Sequence, residues 1–202
     1  MQHIVRVPIP IRSEWCFVKI NAWAILIYVL APICEDKCLG YINLRLGTDT
    51  DKALVKSAIG VALPEINHII TDNGISVMGF SPTEWIIITP TGMEDEVIGK
   101  LNKTLDGTHH LVADITGGMT NLNVTGKHAK DMLEKGTYVD LHDSVFKKGQ
   151  LYATQIAHAP AVIVKNGHNE FSLIVRRSFS HHSHHIANWA VDAAAEYGFS
   201  FN

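Results

Sequence analysis

The order of the hydrophobic patterns is the feature that most restricts how this chain can fold. Strand patterns occur mainly as neighbouring pairs, and helical patterns lie between these pairs rather than after every strand. A doubly wound parallel sheet needs strict alternation of strand and helix, which this order lacks. The order therefore predicts an α+β fold of the split β-α-β type.

The first half of the chain contains two helical patterns separated by a hairpin. Apolar residues recur at helical spacing after a cap at Thr48 or Asp49, and Pro64 stops this first helix. Asn73-Gly74 is a turn signal between two apolar stretches and predicts the hairpin. The remaining elements predicted here are strands over 39–46 and 85–89 and a helix over 93–105 ended by Gly107.

The second half is richer in strand patterns, and no internal repeat is evident in the sequence. Two strands are expected on either side of a Gly117-Gly118 turn, and Asn166-Gly167 is expected to join the last two strands. The predicted elements are strands over 110–115, 121–124, 150–158, 161–164 and 171–175 and helices over 127–134 and 180–197.

Composition excludes several classes of protein. The chain has 202 residues, enough for one domain or for two small ones that share a core, and its formal net charge of -3 argues against general nucleic-acid binding. Only 18% of the residues are charged, which suggests that a partner covers part of the surface. The apolar run Ala22–Ala31 is shorter than the roughly 20 residues of a membrane span. Three cysteines, an odd and sparse set, indicate the cytoplasm.

A histidine cluster and an Asp–His pair are the candidate reactive sites in the sequence. His181 and His185 are four residues apart in a cluster with His182 and His184, but no cysteine or carboxylate nearby supplies a third metal ligand. Asp140 and His142 flank one residue, and the pair fits turn capping as readily as acid-base work. We therefore predict neither a metal site nor a catalytic pair.

The pair Arg176-Arg177 is the other charged feature, and it follows the last apolar strand. It could clamp a carboxylate or a phosphate, or anchor an interface, and the interface is favoured. If the strand continues through both residues, one side chain faces the packed side and the other faces outward. Gly117-Gly118 lacks the spacing of a dinucleotide loop, so the residues alone predict no catalytic, cofactor-binding or metal-binding residue.

Several stretches of the chain resemble a known family, the gamma subunits of heterotetrameric sarcosine oxidase. The resemblance covers residues 30–198, which form either one domain of that type or two intertwined α+β halves; the role of residues 1–29 is open. The stretches that carry it are 133–142, 145–150, 153–157, 173–179, Trp189 and 193–198, with the upstream pieces Asn43-Leu44-Arg45 and 81–85.

This resemblance implies a subunit without its own active site. The complexes of this family oxidatively demethylate sarcosine and pass the one-carbon unit to tetrahydrofolate. FAD, FMN, NAD, tetrahydrofolate and zinc are then expected in partner subunits of the alpha, beta and delta types. Related N-methylglutamate dehydrogenases have similar subunits, so the amine is left open. Arg45, Trp85, Arg176 and Arg177 are the candidate interface residues.

The gamma fold is also similar to the folate-binding part of aminomethyltransferases, the T-protein family. That family has a pair of adjacent aspartates for its folate chemistry. The strand to inspect here, 159–164, contains no acidic residue, so nothing obvious could orient or deprotonate the folate amine. A free-standing folate-binding or aminomethyltransferase-like protein is therefore the alternative, ranked below the subunit.

Overall fold

The computed structural model describes residues 33–36 and 39–179, and this part of the chain contains ten β-strands and three α-helices. The predicted helix over 180–197, the histidine cluster and residues 1–29 lie outside the described residues. The strands are β1 Ile33–Asp36, β2 Leu39–Leu46, β3 Ile69–Asp72, β4 Ile75–Ser81, β5 Glu84–Pro90, β6 His110–Asp114, β7 Met119–Thr125, β8 Leu151–Ile156, β9 Ala159–Gly167 and β10 Glu170–Arg176. The helices are α1 Ala53–Ile59, α2 Glu94–Thr104 and α3 Ala129–Glu134.

The strands form two antiparallel sheets of five strands each. Sheet 1 has the order β3-β4-β5-β2-β6, and sheet 2 has the order β8-β9-β10-β7-β1. Apart from the edge strand β3, which lies between α1 and β4 in the chain, sheet 1 has the succession β2-α1-β4-β5-α2-β6. This succession leaves β2 between β5 and β6, which is the split β-α-β arrangement. The predicted fold class is therefore confirmed.

Sheet 2 repeats the strand order of sheet 1, but one strand comes from a different place in the chain. β7, β9 and β10 occupy the positions of β2, β4 and β5, whereas the position of β6 is filled by β1. β1 comes immediately before β2 in sequence, yet it pairs with β7, with Ile33 opposite Val124. β1 therefore links the first half of the chain, which forms sheet 1, to sheet 2.

The molecule has a helix-sheet-sheet-helix layering with three hydrophobic clusters. One cluster lies between sheet 1 and the helices α1 and α2, and another lies between sheet 2, α3 and the loop that follows α3. A third cluster joins the facing sides of the two sheets and contains Tyr41, Met78, Leu151, Val164 and Ile174. Each sheet is therefore buried on both faces over much of its area.

Four local predictions differ from the structure. α1 ends at Ile59 and Gly60, with φ +79°, is its C-cap, so Pro64 does not stop this helix. α1 begins at Ala53, whose N–H donates to Asp51 Oδ1 at 2.9 Å, so neither Thr48 nor Asp49 caps it. The strands on either side of Gly117-Gly118 do not form a hairpin, because β6 belongs to sheet 1 and β7 to sheet 2. The turn between β9 and β10 is His168-Asn169, where Asn169 has φ +56°, and Asn166-Gly167 belongs to β9.

No helix among the described residues is long and apolar enough to cross a membrane.

Candidate functional site

Trp85 is a core residue, so the interface role predicted for it is wrong. Its side chain points to the helix-covered face of sheet 1 and is 1% exposed. Its Nε1–H donates to the carbonyl oxygen of Pro64 at 3.1 Å, which satisfies the one polar group of the indole. The ring therefore has no surface left for a partner.

Arg45, on the opposite face of the same sheet, is exposed and held by an ion pair. Its Nε and Nη2 donate to Glu84 Oε1 at 3.2 and 2.8 Å, and Asn43 Nδ2 donates to the same oxygen at 2.9 Å. The hydrogen bond from Asn43 and then the bond and charge of Arg45 lower the pKa of Glu84, against the effect of burial. The pair is thus ionised and fixed in position, while 58% of the Arg45 side chain remains exposed.

Leu111 extends this polar pair into a row across three strands. Arg45 lies opposite Glu84 in β5 and opposite Leu111 in β6, so the three side chains project from one face. Leu111 is 50% exposed and lies on an edge strand of sheet 1. We call Leu111, Arg45 and Glu84 the exposed row. The sequence does not indicate that Leu111 is exposed. Leu111 and Val112 are adjacent apolar residues, and their pattern does not show which of the two side chains faces inward.

Burial decreases along β2 towards the exposed row. Tyr41 is 1% exposed between the two sheets, Asn43 is half-buried, and Arg45 is exposed. Sheet 2 therefore covers this face of sheet 1 near the beginning of β2 and leaves it open near the end.

Arg176 and Arg177 are both exposed. The expectation that one of them lies buried on the packed side is wrong, because β10 ends at Arg176 and Arg177 begins a 3-10 turn, so strand alternation does not reach it. Arg177 nevertheless lies close enough to Tyr41, which is buried between the two sheets, to influence its pKa. Burial and the charge of Asp36 raise the pKa of Tyr41, and the charge of Arg177 lowers it.

Asp140 and His142 do not form an acid-base pair. Asp140 Oδ1 accepts the backbone N–H of His142 at 2.8 Å, and His142 Nδ1 hydrogen-bonds to Ser144 Oγ at 2.7 Å. This arrangement is a turn cap, which is one of the two roles that the sequence left open for the pair. The neighbouring Asp143 instead pairs with Lys165 and with His168 Nδ1, the latter at 2.8 Å.

The Gly117-Gly118 turn precedes β7 and has open space around it, because a Cβ added to either glycine would meet nothing within 4 Å. In the ranges 33–36 and 39–179, no group of three or more His, Cys, Asp or Glu side chains could hold a metal ion. Cys16 and Cys38 lie outside these ranges.

An antiparallel two-sheet fold that presents a fixed and exposed surface row is suited to a subunit that docks onto other chains. Comparison with known proteins agrees with this class. Residues 47–196 match the model of the sarcosine oxidase, gamma subunit family, and the chain belongs to that family. The predicted family resemblance is confirmed, and with it the assignment as a gamma-type subunit of an oxidoreductase complex.

Characterised relatives cover most of the chain. It is 26% identical over 147 residues to sarcosine oxidase subunit gamma of Corynebacterium sp. (strain P-1), a match that covers 72% of this chain and 70% of the relative. Sarcosine oxidase subunit gamma of Arthrobacter sp is 27% identical over the same shares of both chains. The human mitochondrial dimethylglycine dehydrogenase is 28% identical over 77% of this chain, but only 18% of that longer enzyme is covered.

Solved structures show the same fold. The heterotetrameric sarcosine oxidase from Corynebacterium sp. U-96 matches with a TM-score of 0.75 and 22% identity, covering 89% of this chain and 93% of that one. Aminomethyltransferase T of the glycine cleavage system from Bartonella henselae matches with a TM-score of 0.61 and 12% identity, covering 81% and 46%.

Proposed function

We propose that this chain is a non-catalytic gamma-type subunit of a flavin-dependent complex that oxidatively demethylates sarcosine or a related N-methyl amino acid. The observation that carries the proposal is the family match over residues 47–196. The likeness to dimethylglycine dehydrogenase supports a secondary or tertiary methylated amine as the substrate class.

The partners in this proposal are alpha-, beta- and delta-type subunits in the cytoplasm. They hold FAD, FMN, NAD, tetrahydrofolate and zinc, and this chain holds none of them. The family match and the lack of a metal-ligand group among the described residues support this division of roles.

Arg45, Arg176 and Arg177 are the interface residues that we retain from the sequence. All three are exposed. Exposed arginines contribute little to the stability of a chain on its own, and they can bind carboxylates across an interface.

Co-expression with the neighbouring genes tests the proposal. The tagged chain should co-purify with larger subunits, and the complex should absorb in the flavin band near about 450 nm. The chain purified alone should lack this band and should not oxidise sarcosine. A flavin bound to the isolated chain, or a wild-type chain that co-purifies with none of the co-expressed subunits, would contradict the proposal.

The second candidate is a free-standing folate-binding protein, and the fold of aminomethyltransferase T favours it. Against it, β9 begins Ala159-Pro160-Ala161 and has no carboxylate before Lys165. Calorimetric titration of the isolated chain with tetrahydrofolate distinguishes the two functions, because only a free-standing folate-binding protein should show saturable binding.

A further inference from the structure

The loop between α3 and β8 crosses the helix-covered face of sheet 2. We call residues 138–148, the middle of this loop, the strap. Just before the strap, Thr137 pairs with Ile156 of β8 in an isolated β-bridge. Just after it, the N–H of Gly149 donates to the carbonyl oxygen of Lys165 in β9 at 2.9 Å. Both ends of the strap are therefore fixed to sheet 2 by backbone pairing.

The backbone of the strap bonds within the loop. The N–H groups of Val145 and Phe146 donate to His142 O at 3.0 and 2.9 Å. The N–H of Lys147 donates to Gln150 Oε1 at 2.7 Å. Among the described residues, no backbone hydrogen bond ties the strap to a strand of sheet 2. Side chains alone therefore hold the strap closed on the sheet.

Two apolar side chains and one carboxylate make these contacts. Leu141 and Phe146 are 0% exposed and belong to the cluster between sheet 2 and α3, whose other buried members come from the strands and from α3. Asp143 bonds to Lys165 Nζ and to His168 Nδ1, and in the described chain it is the only strap residue that hydrogen-bonds to sheet 2 or to its turns. Sheet 2 and α3 thus keep most of their core when the strap leaves.

The strap covers a charged group that has no other counter-charge among the described residues. The side chain of Lys165 is 4% exposed and forms its ion pair with Asp143, and its Nζ lies 5.7 Å from the ring centre of Phe146. Burial of an ammonium is costly unless a carboxylate compensates it. Closure of the strap buries this ammonium and supplies the carboxylate together, whereas opening returns both charges to water.

We infer that the strap is a conformational device that opens as a unit about its two fixed ends, and that Asp143 is its latch. Opening exposes the amine of Lys165 and the apolar surface beneath Phe146, while the strands of both sheets stay paired. Because opening also exposes Leu141 and Phe146 to water, the open form is a minor population. Without the carboxylate of Asp143, the charge of Lys165 favours the open form, and that population rises.

Acetylation of lysine amines by an N-hydroxysuccinimide ester, followed by mass spectrometry on the full-length chain, measures the opening. Asp143→Asn should speed the acetylation of Lys165 by at least about tenfold, since it leaves a buried charge unpaired. Lys100, whose side chain is 53% exposed, should react at the same rate in this variant and in wild type. Glu96→Gln removes the partner of an exposed ion pair and should leave the rate at Lys165 unchanged.

Hydrogen exchange of the wild-type chain in urea separates local opening from global unfolding, and it does not depend on the folding of a variant. A turn this short does not keep its hydrogen bonds in water once it is detached, so the amides of Val145 and Phe146 exchange whenever the strap opens. They should exchange at least about tenfold faster than the paired amides of β9 and β10. Their exchange should also depend less on urea, because local opening exposes less surface.

Three results would overturn the inference. The first is exchange of strap and strand amides at one rate and with one urea dependence, which would mean that the strap leaves the sheet only on global unfolding. The others are an unchanged rate of Lys165 acetylation in Asp143→Asn and an equal acceleration in Glu96→Gln.

Discussion

Lys165 of β9 and Asp143 of the loop between α3 and β8 form an ion pair that links the loop to sheet 2. The Lys165 side chain is 4% exposed, and its Nζ lies 5.7 Å from the ring centre of Phe146 and 5.8 Å from that of Phe171. Asp143 is half exposed and also contacts His168. A buried ammonium is thus neutralised by one carboxylate from the surface.

We expect Asp143→Asn to destabilise the chain more than Lys165→Met does. The first change leaves the buried ammonium without a counter-charge, whereas methionine keeps the packing against the aromatic rings and removes the charge that needs compensation. Thermal unfolding of both variants measures the difference. If Lys165→Met were the less stable variant, the pair would contribute more than its desolvation costs.

The same pair predicts a dependence of stability on acid. Hydrogen bonds from Lys165 and then from His168 lower the pKa of Asp143. Its stabilising contribution is therefore complete above the ordinary carboxyl pKa of about 4 and is lost as the pH falls below that value towards the lowered pKa. Urea unfolding at pH values from 7 to 3 should show a steeper loss for wild type than for Asp143→Asn, and an unchanged slope would rule out this linkage.

Removal of the buried hydroxyl group of Tyr41 should not lower the stability of the chain. It has no hydrogen-bond partner among the described residues, although Tyr41 is 1% exposed. Tyr41→Phe should leave the free energy of unfolding unchanged or raise it by up to about 1 kcal/mol, since an unsatisfied buried group is removed. Tyr138→Phe, at a residue that is 84% exposed, is the control and should have no effect. A loss of more than about 1 kcal/mol in Tyr41→Phe would reveal a partner of the hydroxyl.

Alanine substitutions of Trp85 and Arg45 should affect different properties, the first the stability of the chain and the second its assembly with other subunits. Trp85→Ala empties a core position and should cost about 3–5 kcal/mol of unfolding free energy. Arg45→Ala removes an exposed ion pair and should cost about 1 kcal/mol or less, while lowering the yield of co-purified subunits. Denaturant unfolding and pull-down on the same preparations measure both effects. An Arg45→Ala chain that assembles fully would remove Arg45 from the interface.

Gly79 and Gly99 should respond in opposite directions to alanine. A Cβ at Gly79 would overlap the carbonyl oxygen of Glu65, a backbone atom, so Gly79→Ala should cost about 1–3 kcal/mol. Gly99 lies within α2 with open space around it, so Gly99→Ala should stabilise the chain by about 0.5–1 kcal/mol. Melting temperatures of the two variants check this, and equal shifts would contradict it.

The positions and types of the elements were determined largely by the sequence itself. Hairpin signals such as Asn73-Gly74 and the helical spacing within α2 are local properties, and the structure has a hairpin and a helix at these places. The turn cap at Asp140 is equally local, because the side chain bonds to a backbone group two residues away. The resemblance in the second half of the chain likewise predicted the family.

Tertiary structure decided which strands pair and which face of each strand is exposed. β1 lies beside β7 rather than beside β2, and β6 and β7 belong to different sheets, because pairing depends on contacts between distant residues. The run Trp85–Thr89 is apolar at nearly every position, since β5 is buried on both faces, so its pattern could not show that Trp85 faces the helices. The exposure of Leu111 and Arg45 follows only from how far sheet 2 extends over sheet 1, which no local pattern encodes.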